Sequence, residues 1–82
     1  MTISDLLSLA MEVCEGEGVD EPGLRSGLRK RQVVKSRRVF CQIAVKKMGY
    51  SGADVARFLG INTSAVNRLA VSDELSEVEK YI

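Results

Sequence analysis

Eighty-two residues, 45% hydrophobic and 28% charged, make one globular domain with too small a core for a deep substrate cavity and too little net charge for a disordered tail. The absence of histidine removes the commonest general base, the common zinc sites and every Ser-His or Cys-His nucleophile arrangement. The net charge of +1 hides three blocks: residues 1–21 hold six acids and no Lys or Arg, residues 22–72 hold eleven cations against Asp54 alone, and residues 73–82 hold four acids against Lys80.

The chain opens with a helix predicted over residues 5–15, where Leu6, Leu7, Ala10, Val13 and Cys14 recur at helical spacing behind Ser4 or Thr2 as N-cap and Gly16 is the expected stop. Met1–Glu12 carries acids and this pattern instead of a basic leader, and no uncharged run approaches the roughly 18 apolar residues of a membrane-crossing helix. The expectation is a soluble, cytoplasmic, nucleoid-associated chain without a membrane partner. Cys14 and Cys41 sit in apolar-periodic stretches and read as buried reduced thiols, ahead of a disulfide or a reactive thiol. Asp20, Glu21 and Pro22 suggest a short helical turn reaching about Ser26.

Seven cations follow within fourteen residues, Arg25, Arg29, Lys30, Arg31, Lys35, Arg37 and Arg38, and no acid occurs between Pro22 and Ala53. A cation cluster is commonly a solvated helix face. Here no neighbour in sequence pairs the charges, and five of the seven are arginines, whose planar fork suits bidentate phosphate or base-edge bonds. The block points to nucleic acid rather than a membrane surface, because it lacks the continuous apolar face with Trp or Phe that a membrane-surface helix needs.

Residues 32–48 carry Val33, Val34, Val39, Phe40, Cys41, Ile43, Ala44, Val45 and Met48, an apolar surface too wide for one stripe; this is the expected central helix, ended by a left-handed Gly49. Ser51 caps a helix over 52–59 in which Val55 and Leu59 face the core and Ala56 stays small for a close crossing. Gly60 takes the positive φ of a tight reversal, Ile61 packs inward, and Asn62 or Thr63 caps a helix over 63–70 anchored by Val66, Leu69 and Ala70. A further helix has room over 73–81. Thr63, Ser64, Asn67 and Arg68 then face outward at the end of the second helix that enters the major groove in a DNA-binding helix-turn-helix. Small helical proteins build similar hairpins for purely structural reasons, but those need no basic block beside them. Phe40, Phe58, Tyr50 and Tyr81 sit at helical spacing and read as core rather than as stacking platforms for single strands.

The run from Leu6 to Ala70 resembles the C-terminal DNA-binding domain of the bacterial replication initiator DnaA, through the basic stretch Leu28-Arg-Lys-Arg-Gln-Val-Val-Lys-Ser-Arg-Arg38, the long helix after it and Tyr50-Ser-Gly-Ala-Asp-Val-Ala-Arg-Phe-Leu-Gly60. It is also similar to DnaA-like modules at the C-terminus of some transposase-like proteins. The resemblance implies an all-α fold of the Trp repressor group, a minor-groove arginine among Arg29 to Arg31, and a phosphate contact at Arg37. Where DnaA has Gly-Arg-Asp-His-Thr-Thr-Val after its glycine, this chain reads Ile61-Asn-Thr-Ser-Ala-Val66, one residue shorter and without the Asp-His pair. The DnaA box is therefore not its expected site, and initiator function does not carry over.

The sequence is thus read as one all-α helix-turn-helix domain over residues 1–82 that binds double-stranded DNA sequence-specifically, as the DNA-reading part of a transposase-like or replication-related protein. Arg25, Arg29, Lys30, Arg31, Lys35, Arg37, Arg38 and Ser51 are assigned to phosphate or minor groove, and Thr63, Ser64, Asn67 and Arg68 to base edges. No enzyme activity, small-molecule substrate, cofactor or metal is expected. The alternative is an adaptor that self-associates through its acidic head and basic middle.

Overall fold

In a computed structural model, which describes residues 5–25, 31–72 and 78, every regular element among the described residues is helical. Helix α1 spans Leu6–Glu17 and buries Leu9, Ala10, Val13 and Cys14, the stripe that their spacing draws along one side. Its N-cap is Asp5, whose Oδ1 accepts the Ser8 amide at 2.8 Å; the expected caps Thr2 and Ser4 lie outside the described residues. Its end also differs from expectation. Gly16 stays helical, and the chain turns at Gly18 with φ 71°, where the amides of Gly18 and Val19 both reach the Cys14 carbonyl. A glycine stops a helix only where it adopts the left-handed conformation, and here the second of two available glycines does so.

Helix α2 is one turn, Glu21–Leu24, started by Asp20 Oδ1 accepting the Gly23 amide at 2.9 Å and anchored by a fully buried Leu24. Helix α3, Arg31–Gln42, is the central element and packs against α1, α2 and α5. It passes into a wider π-helical turn, Ile43–Lys47, in which the Met48 amide reaches back five residues to the Ile43 carbonyl at 2.9 Å. Gly49, φ 82°, ends it as expected. The stretch predicted as one helix over 32–48 is therefore an α-helix with a π-helical last turn.

Helices α4, Gly52–Leu59, and α5, Thr63–Val71, lie within a residue of the bounds expected for them. Ser51 Oγ accepts the Asp54 amide at 3.1 Å and Asn62 Oδ1 accepts the Ala65 amide at 2.7 Å, so both predicted N-caps operate. Gly60, φ 75°, closes α4 with the same arrangement that closes α1: its own amide and that of Ile61 converge on the Ala56 carbonyl. Phe40, Leu9, Leu24, Ile43 and Leu59 are the largest apolar side chains of the single core, with Ile61 and Leu69 packed at its edge. Cys14 and Cys41 are buried free thiols. The helix expected over 73–81 lies outside the described residues apart from Val78, which is fully buried. No described helix is long and apolar enough to cross a membrane.

Candidate nucleic-acid interface

Helix α5 divides into two faces. Val66 and Ala70 are buried and Leu69 packs against the core, whereas Thr63, Ser64, Asn67 and Arg68 are exposed along the opposite side. Among the described residues no hydrogen bond or ion pair engages the side chains of these four. Two of them lie over the start of α4: a methyl group added at Gly52 would overlap Asn67 Oδ1 and stand 3.5 Å from Thr63 Cγ2. Ser51, Thr63 and Asn67, three residues assigned to the site from sequence, are thereby brought together. Gly52 is the residue that allows it, and its signal was a glycine at a first helical position where alanine is the better helix former.

The basic segment behaves differently. Arg25 donates from Nε to the Phe58 carbonyl at 2.9 Å and lays its guanidinium 4.4 Å from the centroid of the Phe58 ring, which in turn stacks on Phe40 at 5.6 Å. Lys35 Nζ is 3.8 Å from Glu17 Oε1, on a Glu17 side chain only 3% exposed, and Gln32 Nε2 donates to the Glu17 carbonyl at 2.8 Å. The missing local carboxylate is thus supplied from another helix.

Arg37, expected on a phosphate, is 8% exposed and donates from Nε to the Leu24 carbonyl at 3.3 Å. Burial draws its guanidinium below its ordinary pKa, and arginine starts so high that it remains charged at neutral pH. The same burial pushes the Cys41 thiol up to about 12 against the opposing pull of Arg37, so this thiol is not a nucleophile near neutrality.

Arg38 donates from Nε to Ser72 Oγ at 2.8 Å, and Ser72 Oγ donates to the Leu69 carbonyl at 2.7 Å. A fully buried Gln42 adds Nε2 contacts to the Leu69 and Ser72 carbonyls at 3.4 and 3.3 Å. Helix α5, which has no glycine at its end, is closed by these side chains of α3.

Arg25, Arg37 and Arg38 therefore sit at the C-terminal ends of α4, α2 and α5 in turn, where unpaired carbonyls and the negative end of the helix dipole favour a cation. Arg31 is exposed at the opposite kind of end, the first residue of α3, whose first turn holds no acid. Arg29 and Lys30 lie outside the described residues. Exposed cations that the sequence reading did not single out are Lys46 and Lys47 in the π-helical turn and Arg57 on α4, the last paired with Asp54 at 3.3 Å across solvent-exposed side chains. Their signal was available in the segment charge but not in any local cluster. Compared with protein-family models, with curated proteins and with solved structures, the chain matches none.

Proposed function

We propose that the chain is a sequence-reading domain for double-stranded DNA, in which α4 and α5 act as a helix-turn-helix of the kind found in the Trp repressor and DnaA C-terminal domains. The observation that carries this reading is the exposed polar stripe of Thr63, Ser64, Asn67 and Arg68 at the N-terminal half of α5, with Asn67 and Thr63 seated over the capped start of α4. In that frame α5 lies in the major groove, Asn67 offers the paired donor and acceptor that suit adenine, and Arg68 suits guanine. Ser51 and the amides at the start of α4 take a phosphate beside the groove.

Charge placement supports the same reading. Arg31 at the first turn of α3 opposes the helix dipole and no acid lies in that turn, whereas an anion there is favoured by both. With Arg29 and Lys30 immediately before it in sequence, it forms the phosphate or minor-groove arm of the site.

Selection from a random duplex pool tests the proposal. It is expected to return one sequence bound with a log K against log salt slope near −3, as about three phosphate contacts from Arg29, Lys30 and Arg31 would give, and a slope flatter than about −1 would remove these cations from the interface. Asn67→Ala should cost about 1–3 kcal/mol on the selected duplex and nothing on a random one. Equal losses on both would take α5 out of the groove.

A second reading, self-association, draws on Leu7 and Met11, 49% and 59% exposed on α1 beside the exposed Glu12 and Glu15. Sedimentation of the free protein separates the two: a monomer across the concentration range leaves the DNA reading alone.

A further inference from the structure

Five arginines lie in the basic segment, and two of them hold the two helices of the candidate reading unit from behind. Arg25 grips the C-terminal end of α4 through two contacts of different kinds. Its Nε meets the Phe58 carbonyl and its guanidinium covers the Phe58 ring. Arg38 grips the C-terminal end of α5 through Ser72 Oγ, which passes the contact to the Leu69 carbonyl. Both helices end in carbonyls that the helix itself cannot satisfy, and both arginines come from outside the pair.

We infer that Arg25 and Arg38 are positioning residues of the DNA-reading unit, fixing the angle of α4 and α5 on α3, and are not phosphate contacts. This rests on the DNA-binding reading above for its functional consequence, but the geometric part stands apart from it. An Nε donor aimed at a main-chain carbonyl or a side-chain hydroxyl of the fold fixes the guanidinium plane, at an exposed position for Arg25 and a half-buried one for Arg38. A small rotation of α5 displaces Thr63, Ser64, Asn67 and Arg68 together. The two arginines thus act on specificity through residues that they do not touch.

The test uses the full chain with Arg25→Ala, Arg38→Ala, Arg25→Lys and Arg38→Lys, each assayed well below its melting temperature on the selected duplex and on a random one. Loss of a positioning residue is expected to weaken the selected duplex about tenfold and the random duplex less than about twofold, with the salt slope unchanged, because no released counterion is involved. Lysine should restore part of the loss, since an ammonium can still donate to Ser72 Oγ or stand over the Phe58 ring. General loosening of the fold would weaken both duplexes alike and leave their ratio where it was. A phosphate contact would weaken both and flatten the slope by about 0.9 per arginine; that pattern, or no change on either duplex, overturns the inference. Residual dipolar couplings of the free protein probe the geometry without DNA: the alanine variants should turn α4 or α5 relative to α3, and unaltered couplings in both would sink the proposal. If the wild type selects no sequence, the DNA reading fails, and the couplings alone decide whether the two arginines orient the helix pair.

Discussion

The α4–α5 pair and the basic segment from Arg25 to Arg38 are each dense in polar side chains, yet they spend them in opposite ways. Along α5 the hydrogen-bonding side chains face outward and the caps are local, Ser51 and Asn62 each serving an amide three residues on. In the basic segment Arg25, Lys35, Arg37 and Arg38 all turn to partners on other helices, 13 to 34 residues away for the three arginines, Arg37 buried and Arg25 still exposed. A run of like charges in a sequence therefore does not measure a free charged surface. Part of it can be consumed by helix ends and by a carboxylate from a distant segment.

The largest expected effect lies within the basic segment, where two arginines should differ sharply. Arg37→Ala leaves the Leu24 carbonyl unpaired and empties a buried volume, for an expected loss of about 2–4 kcal/mol in urea unfolding. Arg31→Ala, at an exposed position, should stay within about 0.5 kcal/mol. Equal midpoints for the two would erase the distinction between internal and outward cations.

In the helix pair, Gly60→Val forces a β-branched residue to φ near 75°, and the expected cost is about 1–3 kcal/mol. Ala56→Leu, at a site 4% exposed, should cost a similar amount by overpacking. If both variants melt with the wild type, the crossing of α4 and α5 is looser than its capped turn implies.

A smaller effect follows from Cys41, behind the basic segment. Its folded pKa of about 12 lies above the ordinary 9.0, so below pH 9 both states carry the thiol proton and its contribution to stability is complete. As pH rises from 9 toward 12 the unfolded chain ionises first, and stability should fall by up to about 1.4 kcal/mol per pH unit. Comparison with Cys41→Ala isolates this slope, because the two proteins differ in this one thiol; parallel curves would mean that the thiol is hydrated in the folded state.

The smallest stability change is expected at Gly52, where Gly52→Ala gains helix propensity and displaces the Asn67 side chain. Melting should move by less than about 1 kcal/mol, while amide nitrogen and proton shifts of the Asn67 side chain move clearly. An undisturbed Asn67 would separate it from the start of α4.

How far the fold was legible tracks the range of the signal. Ser51, Gly60 and Asn62 act on residues three to five positions away, and α4 and α5 fall where those residues predict. Gly16 and Gly18 both offer a stop to α1, and nothing local says which one takes the left-handed conformation. The π-helical turn at Ile43–Lys47 has no sequence signature, since the same residues suit an α-helix. For the candidate site, the outward stripe of α5 was readable from its spacing. The inward arginines were not, because Phe58, Leu24 and Ser72 become their neighbours only once the helices have packed.

The closure of α5 by Gln42 and Ser72 has a kinetic consequence. Helix α4 has a local stop, the amides of Gly60 and Ile61 on the Ala56 carbonyl, so it can form before Arg25 reaches its Phe58 carbonyl from 33 positions earlier. The last turn of α5 has no glycine stop and waits for a buried amide 30 positions earlier in the chain, so the entropic cost of closing that loop falls on the end of α5 itself. On a folding trajectory the two helices therefore become native at different moments: α4 belongs with the early local structure, and the end of α5 with the late consolidation around α3.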